Sequence, residues 1–231
     1  MRIVWAIVFL MIIGSIGAQQ AHAAGCMAPK EMPTLRVEID ASKPTIDHTH
    51  QRTSLKRFDI ATISPYDPHQ TVHVNGLMRG AITLKTEMGI AWQRLTSGDD
   101  NCYWFNNINL QMQLNPTIFI ATEIQPNSCL YQEVLKHEYR HYYVDLEVAR
   151  DYQLVFQEGI ERFMRKTGMI GPFPASMQQQ AKAELVKQLE IVIHSINERM
   201  KADRIKRQAV IDTREEYERV VNACPGDRRM M

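Results

Sequence analysis

The sequence predicts an α+β fold: a small antiparallel β-rich N-terminal part followed by a long helical hairpin. Three observations predict it. Residues 35–125 carry two-residue alternation punctuated by turn signals, and residues 130–166 carry apolar positions at helical spacing with one glycine and no proline. Beyond the breaker GMIGPFPAS (168–176), a second helical run reaches at least Met200.

The N-terminal segment sets the expected compartment. MRIVWAIVFLMIIGSIGAQQAHAAG places Arg2 before an apolar run from Ile3 to Ile16 and a small-x-small site at Ala21-His22-Ala23. This reads as a signal peptide over 1–23, cleaved after Ala23, too short and wrongly flanked for a membrane span. The mature chain, 24–231, is expected as a single periplasmic or secreted domain. Ala23-Ala24-Gly25-Cys26 gives a lipoprotein anchored at Cys26 as the alternative. A formal net charge of +1 gives no reason to expect nucleic acid or an anionic membrane surface as partner. No segment of the mature chain is apolar enough to span a bilayer. Cys26, Cys102, Cys129 and Cys224 suit an oxidising compartment, and no C-x-x-C pair suggests a zinc knuckle.

In the β-rich part, LRVEID (35–40) alternates as a strand and residues 54–58 read as a short helix. TVHV (71–74) leads to a hairpin turn at Asn75-Gly76, followed by a long strand over 80–93. After the polar loop SGDDN (97–101), the alternating run CYWFNNINLQMQL and the segment TIFIATEI (117–124) flank Asn115-Pro116 as a second hairpin. The open ends of those strands would meet near Cys102 and Cys129, so the expected disulfides are Cys102–Cys129 and Cys26–Cys224.

The helical hairpin is expected over 128–223. Asn127 or Ser128 caps its first helix, and a bend is expected near Gly159. Ser176-Met177-Gln178-Gln179 has the form of a capping box and opens the second helix. That helix either continues to Ala223 or restarts at Thr213, where Thr213-Arg214-Glu215-Glu216 has the same form.

The chemistry lies on the first helix, where residues 137–141 spell H-E-x-x-H. Residues four apart share a helix face, so His137 and His141 can direct ring nitrogens at one Zn²⁺, with Glu138 beside a water as general base. The same five residues would also serve as a polar helix face. The third ligand stays open. Glu158 and Glu161 stand where thermolysin-like enzymes place a glutamate, yet along an unbroken helix Glu158 lies about 25 Å from His141. Glu147 would need a glycine turn where Val144 stands. Folding back about residue 172 sets 137–141 against roughly 203–207, which makes Asp203 the nearest candidate, then Glu198 and His194. Asp145 is either a partner to a ligand histidine or an exposed carboxylate, and Tyr217 either an oxyanion donor or a packing residue. His48 and His50 read as an isolated polar stretch.

The chain resembles the bacterial family of predicted secreted zinc-dependent proteases. The resemblance rests on NGLMRGAITLKTEMGIAW, Cys102 opening a strand, PTIFIATEIQPNSCLYQEVLKHEYRH, and EEYERVVN near the C-terminus, in that order. It implies a zincin-like domain with His137 and His141 as metal ligands and Glu138 as catalytic residue. The chain departs from the family's expected histidine or glycine after the late tyrosine, having Val220-Val221-Asn222-Ala223-Cys224 there. The expected function is a zinc metallopeptidase acting on protein or peptide. The alternatives are a non-catalytic envelope or metal-binding protein and a zinc hydrolase of a cell-wall amide.

Overall fold

The computed structural model describes residues 25–27, 33–58, 74–96 and 98–226. The expected signal peptide and its cleavage site, residues 71–73 of the expected strand, and His69 and His73 lie outside these. In chain order the elements are β1 (Thr34–Ala41), β2 (Thr45–Asp47), α1 (Arg52–Leu55), β3 (Gly76–Arg79), β4 (Ile82–Arg94), β5 (Asp100–Leu114), β6 (Thr117–Ile120), α2 (Cys129–Thr167), β7 (Ile170–Pro174), α3 (Gln178–Ala209) and α4 (Arg214–Asn222). The fold is α+β, strands first and long helices after, as the alternation and the helical spacing predicted.

The strands form two sheets, ordered β1-β5-β4 with β7 also on β5, and β2-β6-β3. The two orders match, because β1 runs on into β2, β5 into β6, and β3 into β4. Together they are one three-stranded ribbon broken across its middle. Pro44 and Pro116 stand at two of the breaks, where a residue without an N–H cannot carry the ladder onward. The broken ends stay tied by Ser42 N–H to the Leu114 carbonyl and Thr45 N–H to the Pro116 carbonyl. β1–β5 and β2–β6 are parallel and the remaining pairs antiparallel, so the sheets are mixed.

This break corrects two expected hairpins. β5 and β6 do not pair with each other; at Asn115-Pro116 the chain crosses between sheets. Cys102 and Cys129 are therefore not brought together, and the disulfides are Cys26–Cys102 and Cys129–Cys224. Asn75-Gly76 is not a hairpin turn either. Gly76 begins β3 opposite Ile120, and a Cβ there would collide with Val134 of α2 and crowd the Phe119 carbonyl and the Glu138 carboxylate. Glycine is needed at that position for close approach to the helix, not for a turn.

α2 has 39 residues and straddles two cores. Its first turns pack Leu130 and Val134 with Leu77, Ile118, Ile120 and Ile124 under the small sheet. Further along, Val148, Ala149, Phe156 and Ile160 pack against Leu110 and Met112 of β5 and Leu185, Leu189 and Ile193 of α3. Ser128 is the N-cap, its hydroxyl accepting from Tyr131 N–H. The helix continues through Gly159, where a Cβ would stand 2.6 Å from Ile196 Cδ1, so this glycine lets α3 approach. The breaker is used differently from expectation. GMIGPFPAS adds β7 to β5, a 3-10 turn follows at Ala175–Met177, and α3 starts without a side-chain cap from Ser176. Thr213 does cap α4, accepting from Glu216 N–H, so the second helix restarts there.

Candidate metal centre

The H-E-x-x-H turn lies on α2 between its two apolar stretches, and His137, Glu138 and His141 are all buried. Facing them is Asp212, buried in the break between α3 and α4 just before the Thr213 cap. His137 Nε2 and His141 Nε2 are 3.3 Å apart, and Asp212 Oδ1 is 3.4 Å from the first and 3.1 Å from the second. Ligands bound to zinc at about 2.0–2.1 Å in tetrahedral geometry stand roughly 3.3 Å from one another. The three atoms therefore outline one face of such a tetrahedron, and the group could hold a metal ion. Among the described residues no fourth His, Cys, Asp or Glu joins it. Three protein ligands with a position left over is the pattern of a catalytic centre, whereas closed structural sites use four.

The two histidines are held differently. His141 Nδ1–H donates to Gln208 Oε1 at 2.5 Å, and the Gln208 amide nitrogen donates to the His141 carbonyl at 3.0 Å and to Asp145 Oδ1 at 2.6 Å. Arg204 grips both Asp145 oxygens, at 2.6 and 3.0 Å, and also donates to the Gly80 carbonyl at 3.0 Å. His137 Nδ1 instead faces Glu216 Oε1 at 3.4 Å, and Glu216 is shared by Arg140 and Arg219, the latter reaching on to Glu133. A partner on the outer ring nitrogen fixes the inner one toward the ion and sets its basicity.

The electrostatics of the centre follow from these contacts. Burial works against a charged His141, but Asp212, the charge of Glu138 and the Gln208 hydrogen bond outweigh it and raise the imidazole to about 8. Burial likewise opposes ionisation of Asp212, and the hydrogen bonds from His137 and His141 hold its carboxyl far below the usual range regardless. Hydrogen bonding from Arg219, with Arg140 and His137 beside it, holds Glu216 at about 2. Glu138 moves the other way: its burial raises it, against the pull of both histidines and of the Met78 backbone N–H that it accepts from. A buried carboxyl with raised proton affinity beside the ligands is suited to taking and returning a proton.

Asp212 is the carboxylate that stands with His137 and His141, and none of the four sequence candidates for a third ligand joins them. Glu158 and His194 are exposed on their helices, Glu198 pairs with exposed Lys201, and Asp203 pairs with Arg207. The displacement has a plain cause. His141 faces Gln208 and Asp145 faces Arg204, so the hairpin pivots at Pro174–Ala175 rather than near residue 172, which shifts every partner by about five residues, over one helical turn. The usable signal was the capping box at Thr213, which marks a helix break and frees the preceding aspartate to turn inward. Asp145 is the buried partner rather than an exposed carboxylate. The Tyr217 hydroxyl donates to Asp212 Oδ1 at 3.1 Å. His48 braces a turn, its Nε2 on the carbonyls of Ala121 and Ile124, and His50 faces Asp47 at 3.7 Å. Comparison of the chain with protein-family models, with curated proteins and with solved structures finds no match, so the centre is read from its own geometry.

Proposed function

We propose that the chain is a zinc-dependent metallopeptidase of the kind its H-E-x-x-H family resemblance implies, acting on protein or peptide outside the cytoplasm. The observation that carries the proposal is the face of three ligand atoms at tetrahedral spacing with a buried carboxyl, Glu138, on the same helical turn. Bound there, zinc supplies Lewis acidity and brings the ionisation of water down to about pH 7. Glu138 takes the proton of the attacking water on its carboxylate and returns it to the leaving amine. Gln208 and Glu216 hold the ring planes of His141 and His137, and Tyr217 steadies Asp212. Two disulfides, and the absence of any helix among the described residues long and apolar enough to cross a membrane, accord with an exported protein.

The depth of the centre favours a second reading, a non-catalytic metal-binding envelope protein: His137, Glu138, His141 and Asp212 are each less than a tenth exposed. The two readings part on Glu138. The purified, disulfide-intact protein should carry about one equivalent of zinc, and Asp212→Ala should lose it. Glu138→Gln should keep the metal and lower hydrolysis across a peptide library by about 10²–10⁴-fold. Unchanged cleavage by that variant removes Glu138 as the base, and a metal-loaded wild type that cleaves no peptide overturns the peptidase reading in favour of the second.

A further inference from the structure

Where the ribbon breaks, a cleft of about 650 Å³ opens, lined by Arg79, Gly80, Asn115, Thr117, Phe119 and Arg204 among others. No acidic side chain lines it among the described residues. Arg204 spends Nε and Nη2 on Asp145 and the Gly80 carbonyl, and Nη1 makes no hydrogen bond to the described residues. Arg79 is exposed, lies 5.7 Å from the centroid of the Phe58 ring, and has no carboxylate partner among the described residues. Asn115 uses its side-chain oxygen on Ser42 Oγ, which leaves its amide N–H groups as further donors. Among the described residues, two guanidinium groups therefore border the cleft against one compensating carboxylate, Asp145.

The cleft adjoins the centre by two routes. Along β3, the Met78 N–H is bonded to Glu138, and Arg79 is the next residue. Across the helices, Arg204 reaches His141 through Asp145 and Gln208. An extended peptide advances about 3.3 Å per residue. One whose reacting carbonyl sat at the centre would carry a side chain one or a few residues away over the cleft.

We infer that this cleft binds a carboxylate of the substrate, so that the enzyme selects peptides with an acidic residue, or the peptide's own C-terminal carboxylate, beside the bond to be cut. The inference rests on the peptidase reading for its placement. Guanidinium groups pair with carboxylates in a bidentate fork, and such charge-assisted bonds are about twice as strong as neutral ones.

The test uses the full, zinc-loaded chain with Glu138→Gln and three fluorescent alanine-rich peptides. Two are blocked at both ends and carry one Glu or one Gln; the third carries Gln and a free C-terminus. The Glu peptide should bind about tenfold tighter than its blocked Gln counterpart at low ionic strength. Arg79→Gln should remove the preference, and Arg79→Glu should reverse it in favour of the blocked Gln peptide, while zinc content stays unchanged. Tighter binding of the free-terminus peptide alone assigns the carboxylate to the chain end, and Arg79→Gln should then weaken that peptide. Equal binding of all three overturns the inference, whatever is cleaved. Wild-type cleavage of the same peptides separates the two claims. Selective binding without hydrolysis of any peptide keeps the carboxylate cleft and overturns the peptidase reading; hydrolysis indifferent both to Glu and to the free C-terminus keeps the peptidase and overturns the cleft.

Discussion

The two ends of the H-E-x-x-H turn sit in unlike surroundings. His141 leans on Gln208, Asp145 and Arg204, whose side chains are nearly sealed, Asp145 at 3% and Arg204 at 16% exposure. His137 leans on Glu216, whose arginine partners Arg140 and Arg219 are 45% and 42% exposed. The difference follows from the helices that carry them. α3 buries Leu185, Leu189, Ile193, Ile196 and Met200 against the large sheet, so it holds its side of the centre by packing. α4 has nine residues and buries only Val220, and it is held by the Cys129–Cys224 crosslink and by surface charges. The same ligand type is thus presented once by a core and once by a clamp. Cutting each support should therefore cost different amounts.

The largest effect should come from the clamp. Replacing Cys129 and Cys224 together by serine opens a loop closed over 95 residues, worth about 4–5 kcal/mol on a chain-entropy account. It should also weaken zinc binding, because Asp212 and Glu216 are both tied to α2 through α4. Removing Cys26–Cys102, which closes 76 residues far from the centre in sequence, should cost similar stability and leave zinc affinity alone. Urea melts with and without zinc, beside a chelator competition, check both halves. Equal effects on zinc would end the distinction between core and clamp.

On the core side, Asp145→Ala strands the Arg204 charge and the Gln208 amide and should cost about 3–5 kcal/mol. Glu216→Ala should cost less than about 1 kcal/mol and lose even that in molar salt, since its arginines face solvent. Each should weaken zinc about tenfold through the histidine it supports. Denaturation at two salt concentrations tests the contrast, and a salt-sensitive Asp145 loss would contradict the buried network.

An effect smaller than that of Asp145→Ala follows pH. The His141 pKa of about 8 in the metal-free protein lies above the ordinary 6.5, so its contribution is complete below pH 6.5 and lost as pH rises through 8. That contribution is about 2 kcal/mol. Metal-free stability should fall across this window while the stabilisation gained on adding zinc grows, because the ion no longer displaces a proton. A zinc-induced shift in melting temperature that stays flat from pH 6.5 to 8.5 would count against it.

Much of this architecture is legible in the residues, and the losses have physical causes. α2 and its Ser128 cap follow from apolar spacing and an N-cap signal, and His137, Glu138 and His141 meet because a helix sets them on one face. The cysteine pairs are not legible, because a proline turn between alternating segments looks the same whether the strands fold back on each other or step into a neighbouring sheet. The role of Gly76 is ambiguous in sequence, because close approach and tight turning both call for a residue without a side chain. Asp212 escaped because a pivot moved by a few residues is invisible in periodicity yet moves a facing partner by more than a turn. Local signals set the elements; the contacts between distant segments decided which carboxylate faces the two histidines.

The distance along the chain between the two halves of the centre also sets a clock. Gln208 follows His141 by 67 residues, and Asp212 comes later still. At a synthesis rate of roughly 5–20 residues per second, a growing chain displays both histidines for about 3–14 seconds before the residues that orient and complete them exist. Through that interval the histidines alone make a poor trap for metal. Ripening of the centre is thereby postponed until synthesis has passed Asp212.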